Sequence, residues 1–229
     1  DPISAGEEEG LVGRKRDPAH AADARQTPLD IQALYKIPSV SSPRWSPDGA
    51  QLLFVVTRYE LDKGQSNSDI YLVNAGGDGL KRMTRNAAAD YDPRWAPDSK
   101  SFLFISTRQD GAQVWSMPAD GGEARRLTHL STGVSSPSWT PDGKGIVLVS
   151  KVYPAAGADD TANKALAEER KESTIQAHLA DELFYRHWTS YRDGRRDHIL
   201  LFDMAKEAYT DLTPGDFDSP SYQQGASGF

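Results

Sequence analysis

The amino-acid sequence predicts an all-β fold, a β-propeller of four-stranded antiparallel blades, and two repeating features carry the prediction. A Trp-x-Pro-Asp-Gly/Ser phrase occurs at residues 45–49, 95–99 and 139–143, so its copies lie 50 and 44 residues apart. A closing threonine ends each unit, at Thr84, Thr128 and Thr213, with an apolar residue 14 positions before it. Four short strands in about 44 residues are typical of propeller blades. A sandwich of consecutive hairpins is the alternative, but it does not require such regular spacing.

Each repeated phrase predicts a tight turn between two strands. Proline sets the φ angle of the second turn position, aspartate suits the third, and glycine takes the left-handed position that lets a hairpin continue. In the second copy Ser99 stands where the others have glycine. If that position is left-handed, the serine costs on the order of 1 kcal/mol.

The segments after each turn predict the remaining strands of each blade. The apolar runs 52–56, 102–105 and 146–149 predict strands buried on both faces. The runs at 70–73, 114–117 and 199–202 predict third strands, and the last strand of each blade leads into the closing threonine.

These landmarks divide the chain into an N-terminal polar extension, 1–27, and a partial propeller, 28–229. The predicted blades cover about 40–84, 90–128 and 135–213, followed by the start of a fourth at 216–229. The next Trp-x-Pro-Asp-Gly phrase would fall at 224–228, where the sequence reads Gln-Gly-Ala-Ser-Gly. Propellers close with roughly four to eight blades. We therefore expect that the fourth blade is truncated and that the remaining blades lie outside this chain.

The third blade carries an insertion. The distance from Trp to closing Thr is 39 and 33 residues in the first two blades but 74 in the third. The insertion is placed at 152–181, and a helix is predicted over 161–183, capped by Asp160 or Thr161, with Ile175, Leu179 and Leu183 along one face. Insertions at a propeller rim can shape what docks there, so this segment is the expected functional element.

Composition excludes several classes of protein and site. The 229 residues contain no cysteine, which excludes disulfides, zinc–thiolate sites and a cysteine nucleophile. With 33 Asp+Glu against 26 Lys+Arg, the net charge of −7 argues against nucleic acid as a partner. No apolar run approaches 18 residues, so no membrane span is expected, and the first residues hold no signal-peptide core. Because residue 1 is Asp, we expect that the chain has been processed or trimmed.

Catalytic and cofactor motifs are missing from the sequence. The nearest approach to Gly-x-Ser-x-Gly, residues 225–229, fails at Phe229. There is no His-Glu-x-x-His motif, Walker loop or dinucleotide fingerprint, so neither a metal nor a cofactor is expected. His187 fits either a polar contact in a cleft or a strand histidine satisfied by its neighbours.

The three Trp-x-Pro-Asp-Gly/Ser repeats closing with Leu/Met-Thr resemble the propeller repeats of TolB-like proteins and of the prolyl oligopeptidase (S9) superfamily of serine peptidases. The stretches 59–73, 181–188 and 192–194 are similar to the propellers of bacterial dipeptidyl-peptidase and acylaminoacyl-peptidase-like members. That resemblance implies a propeller seated over an α/β-hydrolase domain that restricts access to short peptides. The catalytic triad of such enzymes belongs to the hydrolase domain, so no catalytic residue is expected in this chain.

The same resemblance implies a substrate-binding set in the insertion: Asp181, Glu182, Arg186 and His187. Two adjacent carboxylates could hold the free amino end of a peptide by charge-assisted hydrogen bonds. The expected partners are short peptides and either the hydrolase domain or a second chain that supplies the remaining blades. Two other interpretations stay open, a non-enzymatic TolB-like propeller that binds a protein or peptide, and a sandwich-like interaction domain. A periplasmic or secreted location is expected, with the cytoplasm as the alternative.

Overall fold

The computed structural model describes residues 30–173, 186–187, 190–191 and 193–219. Three four-stranded antiparallel sheets dominate this part of the chain, and their strands lie side by side in sequence order. We call them blades 1, 2 and 3. Blade 1 consists of β1 (Ser39–Trp45), β2 (Gln51–Glu60), β3 (Gln65–Asn74) and β4 (Lys81–Arg82). Blade 2 consists of β5 (Asp90–Trp95), β6 (Ser101–Ser106), β7 (Gln113–Pro118) and β8 (Arg125–Arg126).

Blade 3 is interrupted by the insertion. Its first two strands are β9 (Ser135–Trp139) and β10 (Gly145–Val152), after which come the helix α2 (Asp160–Glu172) and a small hairpin of β11 (Arg186–His187) and β12 (Ser190–Tyr191). The blade ends with β13 (Arg196–Asp203) and β14 (Ala208–Asp211). A short helix, α1 (Ile31–Lys36), precedes blade 1, and a 3₁₀ turn spans Leu61–Lys63. The three sheets confirm the all-β prediction of a partial propeller with a helical insertion.

The repeated turns have the predicted left-handed residue. Gly49, Ser99 and Gly143 have φ angles of 71°, 60° and 67°. Ser99 therefore bears the strain that the sequence predicts for it. The structure adds a compensating contact, because the Ser99 hydroxyl accepts a hydrogen bond from the backbone N–H of Asp48, in the turn of blade 1, at 3.2 Å.

The closing threonines explain the constant spacing of 14 residues. Their Oγ1 atoms accept the backbone N–H of Ile70, Val114 and Ile199 at 3.0, 2.9 and 2.9 Å, respectively. Each hydroxyl thereby takes the place of a ladder hydrogen bond where the fourth strand leaves the third. A buried N–H without such an acceptor would lose its hydrogen bond.

The repeated tryptophans join neighbouring blades. The indole N–H of Trp95 donates to the carbonyl of Arg44 at 2.9 Å, and that of Trp139 donates to the carbonyl of Arg94 at 3.4 Å. In both cases the acceptor is the residue just before the tryptophan of the preceding blade. The first strands of successive blades also contact one another, β1 with β5 and β5 with β9.

The core lies between the blades, in two clusters that share blade 2. Phe102 and Phe104 belong to the cluster with blade 1, whereas Leu103 and Ile105 belong to the cluster with blade 3, and all four are fully buried. The prediction of strands buried on both faces therefore holds for blade 2. It is wrong for β2 and β10, in which buried and half-buried residues are mixed. In the described part of the chain, each outer blade has a neighbouring blade on one face.

The insertion helix begins one residue earlier than predicted. Its N-cap is Asp159, whose side chain accepts the N–H of Ala162 at 3.0 Å, and not Asp160 or Thr161. Asp160 does not cap the helix because its carboxylate accepts hydrogen bonds from Ser131, in the segment between blades 2 and 3. The described helix ends at Glu172, and the rest of the predicted helix, with Ile175, Leu179 and Leu183, lies outside the described residues.

Candidate functional site at the insertion rim

The antiparallel order of the strands gives the blades two different rims. One rim collects the starts of first and third strands and the ends of second and fourth strands, and the other carries the Pro-Asp-Gly/Ser turns. Residues 153–195 connect the end of β10 to the start of β13, so the insertion leaves from the first rim. We call this side the insertion rim.

A buried asparagine fixes the base of the insertion. The side-chain oxygen of Asn163 accepts the N–H of Tyr153 at 2.8 Å, and its amide donates to the carbonyls of Gly157 and Asp159 at 2.9 and 2.8 Å. Asn163 is only 2% exposed. Its three hydrogen bonds lock the turn after β10 to the first turn of α2, so the helix leaves the blade in a defined direction.

A second contact ties the helix to the segment between blades 2 and 3. The Asp160 carboxylate accepts both the backbone N–H and the hydroxyl of Ser131, at 2.6 and 2.7 Å. A carboxylate in the first turn also interacts favourably with the positive end of the helix dipole. The insertion helix is therefore fixed to the turn that directly follows β10 and to the segment beside the neighbouring blade.

A polar cleft of about 310 Å³ lies next to this contact, between blades 2 and 3. Charged and hydroxyl groups on its wall are Asp110, Ser131, Thr132, Ser135, Ser150, Lys151 and Asp197. A hydrogen bond from Arg126 lowers the pKa of Asp110 below its ordinary value, and the Asp110 side chain is 81% exposed. Carboxylates, hydroxyls and an ammonium group can bind a polar ligand with its own charges, such as the end of a peptide.

Buried polar pairs stand at one repeated position of the insertion rim. The residue just before Ile70, Val114 and Ile199 is Asp69, Gln113 or His198, and each is at most 2% exposed. In blades 1 and 3 it bonds to the residue 13 positions later: Asp69 to Arg82 at 2.7 Å and His198 to Asp211 at 2.7 Å. The acid lies on the third strand in blade 1 and on the fourth strand in blade 3. In blade 2 the side-chain oxygen of Gln113 accepts the Thr128 hydroxyl at 2.8 Å.

The two pairs in blades 1 and 3 have different surroundings. Burial raises the pKa of Asp69 above its ordinary value, although the hydrogen bond and charge of Arg82 oppose the shift. The second ring nitrogen of His198 faces the carbonyl of Gly215 at 2.9 Å. The His198 ring therefore lies between two oxygens, the Asp211 carboxylate on one side and the Gly215 carbonyl on the other.

Blade 2 has a half-buried arginine, Arg108, at this rim. Arg108 places one terminal nitrogen 2.8 Å from both oxygens of the fully buried Asp90, and its Nε donates to Ser106 at 2.7 Å. The guanidinium also lies 4.6 Å from the ring centroid of Trp115 and 5.5 Å from that of Phe104. Both oxygens of the buried Asp90 carboxylate face this guanidinium, so we assign the pair to the stability of the blade.

The described residues show neither a metal site nor a membrane-spanning helix. Within them, no three His, Cys, Asp or Glu side chains are grouped in a way that could hold a metal ion. None of the helices that the structure describes has the length and apolar character needed to cross a membrane.

Comparison with known proteins identifies the repeat. Residues 32–177 match the family model described as the TolB beta propeller domain. The chain belongs to this family. No curated protein matches the sequence significantly.

The TolB-type propeller is also similar to solved structures. An acylaminoacyl peptidase in complex with a chloromethyl ketone has a TM-score of 0.60 and 17% identity over 80% of this chain. The uncomplexed Pyrococcus horikoshii acylaminoacyl peptidase has a TM-score of 0.57 and 18% identity over 77% of this chain. The apo isopeptidase AtxE2 has a TM-score of 0.57 and 13% identity over 80% of this chain. The matched part of this chain covers only 26%, 25% and 31% of the length of those three chains. At such identities the likeness is one of fold.

The substrate-binding residues predicted from the resemblance are only partly placed by the TolB-type propeller. Asp181 and Glu182 lie outside the described residues. Arg186 and His187 form β11, with Arg186 opposite Tyr191 and His187 opposite Ser190. All four stay a prediction.

Sequence reasoning missed the groups that anchor the insertion. Asn163 is a buried polar residue among helix-forming residues, and neither its type nor its spacing distinguishes it. The paired positions in the blades had a usable signal, because Asp69, Gln113 and His198 directly precede a landmark residue already recognised in the repeat.

Proposed function

We propose that this chain is the substrate-gating propeller of a serine exopeptidase that cleaves short peptides. The enzyme would be of the dipeptidyl-peptidase or acylaminoacyl-peptidase kind, with its catalytic α/β-hydrolase domain outside these 229 residues. One observation carries the proposal: the insertion helix has a defined position at one rim, because Asn163 ties it to the turn directly after β10 and Asp160 ties it to Ser131. A gate needs a fixed orientation, because a loosely attached segment would not select among substrates. The propeller fold that the chain shares with acylaminoacyl peptidases supports the assignment.

In this proposal the insertion binds the amino end of the peptide. Asp181 and Glu182 accept hydrogen bonds from the substrate ammonium group, and Arg186 and His187 complete the binding set. The polar cleft with Asp110 and Lys151 lies on the same rim. The proposed layout is an N-terminal extension at 1–27 and a propeller from 28 onward whose fourth blade begins at 216.

The test is the double substitution D181N/E182Q in the enzyme that contains this chain together with its hydrolase domain. Losing two charge-assisted hydrogen bonds should raise KM roughly 10- to 100-fold for peptides with a free amino terminus. Peptides with a blocked amino terminus should keep their KM. The matched control is E168Q/E169Q, which changes two exposed carboxylates of α2 without altering KM for either class. Equal effects of D181N/E182Q on free and blocked peptides would refute the binding role.

The second candidate is a non-enzymatic TolB-like propeller that binds a protein or peptide. The family match over 32–177 favours it, since that family is defined by the propeller and not by a peptidase domain. A fluorophosphonate that labels reactive serines separates the two functions when applied to the whole protein containing this chain. Labelling of a serine together with hydrolysis of peptides supports the peptidase. If calorimetry shows that the protein binds peptides, but it is neither labelled nor hydrolyses them, the second candidate is supported.

We further propose that the protein acts outside the cytoplasm, in the periplasm or as a secreted protein, with the cytoplasm as the alternative. Fractionation of the source cells followed by immunodetection of the chain tests this location.

A further inference from the structure

A cleft of about 310 Å³ lies between blades 1 and 2, and no residue of the insertion lines it. Met83 and Met117 form its buried lining, each 7% exposed, and Arg85, Arg108 and Glu123 stand on its walls. Both blades that form the cleft lie within the described part of the chain, so its shape does not depend on what covers the far faces of blades 1 and 3. We call it the methionine cleft.

The junction between blades 2 and 3 contains the equivalent cleft, which is smaller, at about 160 Å³. Its lining residues stand at the same offsets from the closing threonine or from the third strand as those of the methionine cleft. The equivalent pairs are Met83 and Leu127, Arg85 and His129, Met117 and Phe202, and Ala124 and Tyr209. The last pair differs most in size, so alanine leaves open in one junction the space that tyrosine fills in the next.

Tyr209 shows how the chain itself fills this space. Its ring packs on the core cluster between blades 2 and 3 and lies 4.9 Å, centroid to centroid, from the ring of Phe202. Its hydroxyl oxygen accepts the backbone N–H of His129 at 3.2 Å. Burial raises the pKa of this phenol above its ordinary value, so the group in the cleft is a neutral hydroxyl.

The methionine cleft presents matching contacts around Ala124. The Arg85 N–H, which is equivalent to that of His129, donates to no acceptor within the part of the chain that the structure describes. Thioether sulfurs contact aromatic rings favourably, and Met83 and Met117 place two of them here. The two clefts differ by about 150 Å³, the volume of a cavity that holds benzene. The space, the sulfur atoms and the backbone donor together favour a phenol ring.

The charges around the methionine cleft favour a neutral ring. Arg108 is paired with the buried Asp90, whose two oxygens each lie 2.8 Å from one guanidinium nitrogen. The other two charged residues on the walls, Arg85 and Glu123, are exposed and opposite in sign. A phosphorylated phenol would meet the Glu123 carboxylate as well as the arginine, whereas an uncharged phenol needs no counter-ion.

We propose that the methionine cleft binds a tyrosine side chain of a polypeptide partner. The ring would lie against Met83 and Met117, and the phenol oxygen would accept the Arg85 N–H, as Tyr209 accepts that of His129 in the next junction. This is a binding site separate from the insertion, and it does not rest on the peptidase function proposed above.

The first test uses N-acetyl-tyrosinamide as the probe and saturation-transfer NMR of the whole protein that contains this chain. Saturation should reach the ring protons of the probe, and A124Y should abolish the transfer because it fills the cleft. A75Y is the matched control, since Ala75 is exposed in the turn after β3 and does not line the cleft. Equal transfer in wild type and A124Y, or none in the wild type, overturns the proposal.

The same probe distinguishes this site from the carboxylates proposed in the insertion. Its amino end is acetylated, so it lacks the ammonium group that Asp181 and Glu182 are proposed to bind. D181N/E182Q should therefore leave the transfer unchanged. A loss of transfer in that variant would place the probe at the insertion and refute the methionine cleft as its site.

The second test varies the chemistry of the probe. N-acetyl-phenylalaninamide should bind roughly three- to tenfold more weakly, because it cannot accept the Arg85 N–H. N-acetyl-leucinamide should not displace N-acetyl-tyrosinamide, and N-acetyl-phosphotyrosinamide should bind more weakly than the unmodified probe. Equal competition by the leucine compound would show a site for any apolar group, and tighter binding of the phosphorylated compound would show an anion site. Either result contradicts the proposal.

The third test needs no ligand. In A124Y the introduced phenol should accept the Arg85 N–H, so hydrogen exchange of that amide should slow by roughly the factor of three to ten expected for one hydrogen bond. A124F, which adds the ring without the hydroxyl, should leave the exchange close to that of the wild type. If the Arg85 amide exchanges at the same rate in A124Y and A124F, the cleft does not hold a phenol as the next junction does, and the proposal fails.

Discussion

At the scale of single residues, the closing threonines show how one hydroxyl can define the end of a blade. The Thr128 hydroxyl is fully buried, accepts the N–H of Val114 and donates to the side-chain oxygen of Gln113. Both of its hydrogen-bonding roles are therefore used inside the protein. Valine has nearly the same shape as threonine and can fill neither role.

We expect T128V to lower the free energy of unfolding by about 1–3 kcal/mol, because it leaves a buried N–H and a buried amide oxygen without partners. Urea unfolding followed by circular dichroism measures the change. Thr210, which is exposed on β14, provides the control, and T210V should stay within about 0.5 kcal/mol of the wild type. If T128V and T210V are equally stable, the hydroxyl is not what holds the end of the blade.

Ser99 illustrates a local cost with a tertiary compensation. Its φ of 60° is unfavourable for serine, and the sequence predicts that cost from the glycines at the same position of the other blades. Its hydrogen bond to the Asp48 N–H joins two turns that are 51 residues apart. Glycine would relieve the strain and lose this contact between blades.

At the scale of elements, the insertion helix owes its position to contacts at its first turn. The Asp159 side chain caps the helix by accepting the N–H of Ala162, and the Asp160 carboxylate accepts hydrogen bonds from Ser131. The two adjacent aspartates thus make different contacts, one within the first turn of the helix and one with a segment 29 residues away in the chain. The later part of α2 is exposed and carries no such anchor among the described residues.

Replacing Asp160 with alanine should loosen α2 from the segment between the blades without unfolding the blades. The loss of its hydrogen bonds to Ser131, at a solvent-exposed site, should cost about 1 kcal/mol, which makes local opening roughly fivefold more frequent. Hydrogen exchange of the α2 amides and trypsin cleavage after Lys164 and Arg170 should rise by that factor.

Glu168 supplies the comparison for this experiment, because it is an exposed helix carboxylate 3.9 Å from Lys171. E168A should leave exchange and cleavage close to those of the wild type, as expected for a weak surface ion pair. Equal acceleration in D160A and E168A would mean that the Ser131 contact does not anchor the helix.

At the scale of the whole molecule, blade 2 joins the two halves of the core. Phe102 faces blade 1 and Leu103, the next residue on the same strand, faces blade 3. We expect F102A to cost about 3–5 kcal/mol and L103A about 2–5 kcal/mol, since each opens a cavity in one junction. Because β6 belongs to both clusters, each variant should still unfold in one transition, with coincident fluorescence and circular dichroism curves.

The exposed Leu80 provides the reference, and L80A should change the free energy of unfolding by no more than about 0.5 kcal/mol. Two separate transitions in L103A, one for each junction, would show that the blades unfold independently, as weakly coupled repeats do.

Much of the fold could be predicted from the sequence because the blade signals are local. The Pro-Asp-Gly turn, the apolar run after it and the closing threonine all lie within one repeat, and they recur at similar offsets. The candidate site was less predictable. Asn163 and the contact between Asp160 and Ser131 join segments whose proximity depends on how blades 2 and 3 pack.

By itself, the sequence determined the blade: its period, its turns, the left-handed position of Ser99 and which blade carries the insertion. The tertiary structure decided which copies of a motif are buried. Trp45 and Trp95 stand in the same repeated phrase, yet Trp45 is 59% exposed and Trp95 8%. The physical reason is that a turn depends on its own few residues, whereas burial depends on whether another blade lies against that face.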